Sequence, residues 1–288
     1  MKYKVRQIKL SDVFSIVRIA NQSFLETARL GWLIGRGVVQ QLMRNRECIF
    51  IAETNRGDPA GFVVGALKDD KAIIRWISVH PSHWRRGVGG MLLRAVEEKA
   101  REKGICVVET GTPFARSFYE KYGYKCVDVR RSMLLELVGR SIPMPEGLRI
   151  RVLMLEDLPM LLDFIRDENE WLRFAAAYFE AYKSDPEKAI LVTREDSGIL
   201  GVAIGRSEKI CSELVTLSYI FAKEKEDTIR ILNSLAYLAS SHGHRWLGIS
   251  LPIAGITEEQ LKRAGWQDAK LPFFWTMYIM KKKLKVYK

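Results

Sequence analysis

Cysteine is scarce and never clustered. Cys48, Cys106, Cys126 and Cys211 stand singly inside apolar stretches, with no CxxC pair and no histidine at zinc spacing. That pattern gives neither a disulfide framework nor a thiolate-built metal site, and it predicts buried free thiols. Histidine is equally thin: His80 and His83 form an HxxH pair and His242 and His244 an HxH pair. Neither pair has acidic or cysteine ligands at metal spacing, so all four are read as turn residues and no metal is expected. No uncharged apolar run approaches the ~18 residues a membrane helix needs, and the opening MKYKVRQIKLSD has no signal-peptide block. A soluble, cytoplasmic protein with no membrane partner is the expectation.

Length and positive charge are what the chain does have. Its 288 residues suit two domains. The net charge of +12 is uneven: residues 1–140 hold 25 Lys+Arg against 14 Asp+Glu, and residues 141–288 hold 21 against 20, five of those lysines in the closing KKKLKVYK. An anionic partner is expected on the first half.

The halves also repeat each other. VRQIKLSDVFSIV (Val5 to Val17) aligns with IRVLMLEDLPMLL (Ile150 to Leu162), each a period-two strand, an acidic residue (Asp12, Asp157) and then helical spacing. CIFIAETNRGDPAGFVVGAL pairs with AILVTREDSGILGVAIG, two strands about a turn (Asn55 to Pro59; near Asp196 to Gly198), with Gly61 and Gly65 matching Gly201 and Gly205. Gly123-Tyr124 and Gly265-Trp266 both close a helix before two strands. Offsets of 140 to 145 predict two copies of one fold, residues 1–140 and 148–288, joined across GRSIPMPEG. Each copy should run strand, helix, a poorly patterned segment, three strands, helix, strand, helix, two strands: an α/β class with helices on a mixed sheet.

Chemistry concentrates in HPSHWRRGVGGMLL (His80 to Leu93). The strand AIIRWISV precedes it, and Val88, Leu92, Ala95, Val96 and Ala100 mark an amphipathic helix after it. A helix N-terminus offers unpaired N–H groups and a positive dipole end, Gly87, Gly89 and Gly90 clear space, and Arg85 and Arg86 add charge. Phosphate binding follows. A Walker loop is missing its Gly-Lys-Ser/Thr. A Rossmann turn is contradicted by Leu92 at the third glycine and by the seven residues between Val79 and Gly87.

The stretch instead resembles the acyl-CoA signature of the GNAT acetyltransferase superfamily, Arg/Gln-x-x-Gly-x-Gly/Ala after a Val-His-Pro, with Trp84 at the first position. TPFARSFYEKYGYKCV resembles the family's second signature through Ala115, Tyr119, Glu120, Gly123 and Tyr124, with Thr112 in place of an asparagine. The resemblance implies two tandem GNAT-like domains, each a mixed, mostly antiparallel sheet flanked by helices. It also implies direct transfer of an acetyl group from acetyl-CoA to an amine on a small molecule or protein.

Under that resemblance Val79, Arg85, Arg86, Gly87, Val88, Gly89, Gly90 and Met91 hold pantetheine and pyrophosphate. Tyr119 meets the CoA sulfur as proton donor, and Glu109, ending the strand ICVVE, is the candidate base, with Glu53 a weaker one and a water relay a third route. Arg75 or Trp76 faces the substrate. In the second copy the matching loop reads AKEKEDTIR, where Asp227, Thr228, Ile229 and Ile231 replace Arg85, Arg86, Gly87 and Gly89, and Leu261 replaces Tyr119. That copy should lack cofactor binding. Two further readings stand beside the enzyme: a silent CoA-sensing or protein-binding module, and an RNA-directed acetyltransferase suggested by charge alone.

Overall fold

The computed structural model describes residues 2–23, 28–44, 46–68, 70–194, 198–208, 211–271 and 274–285, with the side chains of 28–32 left aside. The expected turn near Asp196 therefore lies largely outside the described residues, as does part of the poorly patterned segment between the first two strands. The chain forms two compact units. One comprises Met1–Val129 with Met277–Lys288, the other Arg130–Thr276.

The first unit contains β1 (Tyr3–Gln7), α1 (Val13–Ser23), α2 (Ala28–Arg44), β2 (Ile49–Thr54), β3 (Pro59–Leu67), β4 (Ala72–Val79), α3 (Val88–Glu102), β5 (Val107–Thr112), α4 (Arg116–Lys121) and the start of β6 (Lys125–Glu136). The poorly patterned segment is thus helix α2. β1 to β4 are antiparallel neighbours, β4 pairs parallel with β5, and β5 pairs antiparallel with the chain's final strand. The apolar stripe of α3, including Val88, Leu92, Leu93 and Val96, packs with Val63, Ile74 and Val108 on one sheet face. Each such side chain contributes roughly 1.5–3 kcal/mol by leaving water. Ile16 and Ile19 of α1 with Ile34 and Val38 of α2 cover Ile49, Phe62 and Val64 on the other face.

The second unit holds the rest of β6, then β7 (Leu148–Val152), α5 (Leu158–Phe164), α6 (Glu168–Ser184), β8 (Ala189–Arg194), β9 (Ile199–Ser207), β10 (Leu214–Ala222), α7 (Thr228–Ser241), β11 (Trp246–Leu251), α8 (Glu258–Arg263) and β12 (Gln267–Asp268). β7 to β10 are antiparallel, β10 is parallel to β11, and β11 is antiparallel to Arg131–Glu136 of β6. The mixed, mostly antiparallel sheet with flanking helices matches the expected α/β class in both units.

The duplication extends to atoms. Arg6 clasps Asp12 with two bonds of 2.6 and 2.9 Å, and Arg151 clasps Asp157 with two of 2.6 and 2.5 Å. The Lys9 and Met154 amides donate to those same aspartates. Both third strands carry a bulge, opposite Ala52/Glu53 and Val192/Thr193, and both fourth strands carry one, between Ile74 and Trp76 and between Leu217 and Tyr219.

Two expectations change. The units do not divide at residues 140 and 148: the last strand, β13 (Met277–Lys283), follows the second copy in sequence but completes the first unit. The cause is strand exchange. In place of two separate strands, residues 125–136 form one 12-residue strand whose far half pairs with β11, leaving the position beside β5 for β13. The thiols also differ from expectation: Cys48 is buried, and that burial pushes its pKa up to about 12, but Cys106 is exposed and Cys126 and Cys211 are half-buried.

Candidate functional site

β4 and β5 hold together only at Ala72↔Val108, Ile73↔Glu109 and Ile74↔Thr110. Beyond Ile74 the β4 bulge at Arg75 adds local twist, and the strand edges part. Thr110 sits at the apex, fully buried, and its hydroxyl donates to the Ile74 carbonyl at 3.0 Å. The bulge also separates Arg75 from Trp76. Trp76 packs with the α1–α2 cluster, its ring pressed onto Gly37 of α2, and Arg75 is exposed.

The strand-to-helix junction follows directly. A short 3-10 turn, Pro81–His83, leads to Trp84, whose indole N–H donates to the Val79 carbonyl at 2.6 Å. The Ser23 hydroxyl donates to the same carbonyl at 2.9 Å. Arg85 has φ +58 and Gly87 φ +81, two left-handed residues flanking Arg86, the kind of turn from which anion-binding nests are built. α3 begins at Val88 with no side-chain cap, and its first intrahelical bond runs from Met91 N to Gly87 O at 3.1 Å. The amides ahead of Met91 have no helical acceptor. Arg85, Arg86 and Gly87 are exposed.

The glycines of this junction have separate reasons. Gly87 supplies the left-handed turn. Gly90 gives room to α4, because a Cβ there would run into the Tyr122 hydroxyl. The histidines serve the turn: His83 Nδ1 meets the Tyr3 hydroxyl at 3.0 Å, and His80 Nδ1 meets the Ser82 hydroxyl at 2.7 Å.

Tyr119 lies on α4, 3% exposed, edge-on to Phe118 and Tyr124. Thr112, standing where the family has asparagine, accepts the Ala115 amide at 3.0 Å and so anchors the start of α4. The Tyr119 hydroxyl bonds the side chain of Thr110, which places it at the fork between β4 and β5. Burial pushes its pKa up to about 12, and the Thr110 bond pulls the other way.

Glu109 does not join it. Alternation along β5 turns Glu109 to the opposite sheet face, where Lys71 lies 3.2 Å and Lys281 3.0 Å from its carboxylate. Burial acts against the charge, but the two lysines outweigh it and hold the carboxyl below its usual range. A carboxylate clamped in this way is a poor proton acceptor. Glu53 is likewise committed to Lys4 at 2.9 Å and Arg6 at 2.7 Å. Sequence reasoning missed Thr110, which only the strand register identifies, and Lys281, which lies 172 positions from its partner.

The same junction in the second unit is built differently. Asp227, buried, precedes α7 with φ −82, and its carboxylate takes Arg194 at 2.9 Å and Arg230 at 3.2 Å. Gly255 from the following loop lies against the Lys225 carbonyl and the Thr228 hydroxyl, too close to admit a Cβ. The start of α7 thus carries an internal anion and a covering loop.

Residues 45–126, which include the fork, the junction and α4, match the family model described as acetyltransferase (GNAT) domain. A curated relative, mycothiol acetyltransferase of Pseudarthrobacter chlorophenolicus, is 29% identical over 143 residues, 48% of this chain and 40% of its own length. This chain therefore matches less than half of that relative. Among solved structures, a GCN5-related N-acetyltransferase from Sphaerobacter thermophilus superposes with TM-score 0.73 at 15% identity, covering 98% of this chain and 95% of that one. A tandem GNAT protein from the clavulanic acid biosynthesis pathway gives TM-score 0.67 at 12% identity over 98% of each chain. Residues 45–126 thus carry a GNAT acetyltransferase domain, and these two likenesses show the same tandem fold across both units.

Proposed function

We propose that the chain is an N-acyltransferase with one working site, in the first copy, which takes acetyl-CoA as cosubstrate and an amine as acceptor. The observation that carries this reading is the contrast between the two strand-to-helix junctions. In one, two left-handed turns and an uncapped α3 leave backbone amides without a helical acceptor beside the exposed Arg85 and Arg86. In the other, Asp227 is paired to two arginines at the helix start. An anion is welcome at the first, whereas at the second the Asp227 carboxylate already holds that place. The mycothiol acetyltransferase relative adds support for acetyl transfer.

Bound acetyl-CoA supplies a thioester carbon open to attack by a neutral amine. The residues Arg85 to Met91 bind its phosphates through amides and guanidinium groups, and Val79 lines the path from there to the fork. Tyr119 turns its single O–H from the Thr110 side chain to the sulfur and serves it as a hydrogen-bond donor that keeps its proton. A proton passing from a phenol near 12 to a thiolate whose acid lies near 8.5 climbs about 5 kcal/mol, whereas a hydrogen bond to the developing charge has no such climb. Glu109 fixes Lys71 and Lys281, and the amine proton leaves to water. The second copy is a structural partner without a CoA site.

Titrating acetyl-CoA into the wild type and Arg86→Glu, followed by thiol release with a panel of amines, tests the assignment. Saturable binding weakened at least tenfold by the substitution is expected. Unchanged affinity in Arg86→Glu would remove the cradle, and binding without thiol release from any amine would favour a sensor over an enzyme.

A further inference from the structure

The face of the first unit that carries Glu109 has a cavity of about 600 Å³, lined by Asp70, Lys71, Val107, Lys125, Lys281 and Lys283 among others. Alternation along β13 explains its charge. Met280 is buried against the α3 side, and Lys282 reaches the buried Glu97 of α3 with two contacts of 2.8 Å. Lys281 and Lys283 therefore project from the opposite face, in register with Glu109 and Val107 of β5. Lys125 joins from the start of β6 and Lys71 from the turn before β4. The junction at Gly87 opens α3 on the other side of the sheet, so the cavity is separate from it.

Four ammonium groups share this space with two carboxylates. Glu109 neutralises Lys71 and Lys281 in part. Among the described residues, Lys125 and Lys283 have no carboxylate partner. Cations gathered around a cavity repel one another, and the repulsion falls when an anion enters. The volume suits a small molecule, and Val107, Val127 and the lysine stems add apolar wall.

We propose that this cavity is a second anion site, which binds a small organic polyanion bearing phosphate or carboxylate groups independently of acetyl-CoA. The bound anion bridges Lys71 and Lys125 to Lys281 and Lys283, so it ties the closing strand to the strands beside it and stabilises the unit.

The probes are inorganic tripolyphosphate and citrate, titrated calorimetrically at fixed ionic strength into the full chain. The wild type, the junction variant Arg86→Glu, and Lys125→Glu/Lys283→Glu are compared, with Lys125→Gln/Lys283→Gln replacing the last if charge reversal prevents folding. Saturable binding that survives Arg86→Glu and weakens at least tenfold in the double-lysine variant is the expected result, with a rise of a few degrees in Tm on saturation. Equal affinity in the double-lysine variant and the wild type overturns the site. Binding of heparin or RNA without binding of either small probe overturns the ligand class.

Discussion

Tyr119 and Glu109 show how neighbouring residues on adjoining elements come to opposite uses. Tyr119 is neutral over the working range and loses its proton only as pH rises through about 12. Activity that depends on it should therefore show no alkaline limb between pH 8 and 10. Tyr119→Phe should lower kcat by roughly 10- to 100-fold with a small change in KM for acetyl-CoA, measured by thiol release. Glu109 is held ionised by Lys71 and Lys281. Glu109→Gln leaves those two cations facing each other, so a Tm lower by a few degrees with an unaltered pH–rate profile is expected. Disappearance of an acidic limb from that profile would restore Glu109 as the base.

At the scale of elements, the aspartate at each first helix is the clearest inheritance of the duplication. Asp12 and Asp157 are held below the usual carboxylate range, chiefly by the bonds from Arg6 and Arg151. A depressed carboxyl contributes stability that is present above its unfolded value near 4 and is lost as pH falls through the lowered value. Asp157→Asn should cost about 1–2 kcal/mol at neutral pH, and the gap from wild type should close in denaturant titrations as pH falls through the lowered value. The repeat was legible because strand period, acidic residue and helix spacing recur together, and the loop-to-α3 signal was legible because glycines and arginines stand consecutively. The fork was not. Thr110 matters through a bulge at Arg75 and a register with Ile74, and neither leaves a mark in composition. Nor was the packing reason for Gly90 legible, since its neighbour Tyr122 follows another helix, α4.

For the whole molecule, the exchanged strand changes how the last residues are understood. KKKLKVYK enters the charge balance as five lysines, yet Lys282 pairs with a glutamate that is 3% exposed, and its neighbours Lys281 and Lys283 line a cavity. Nothing local announces this, because the partners lie on β5 and α3. A chain ending at Thr276 should keep the second unit and lose the first: hydrogen exchange should protect β8 to β11 and expose β4 and β5, and acetyl-CoA binding should vanish. Intact CoA binding in that truncation would mean that β13 is dispensable. The exchange also sets an order of events during synthesis. Residues 130–276 hold the whole second unit once they emerge, but the first unit waits for β13. At ordinary elongation rates that wait lasts roughly 8–30 s. The proposed acetyl-transfer site, encoded first, is finished last, so no nascent chain carries it before its silent partner has been made.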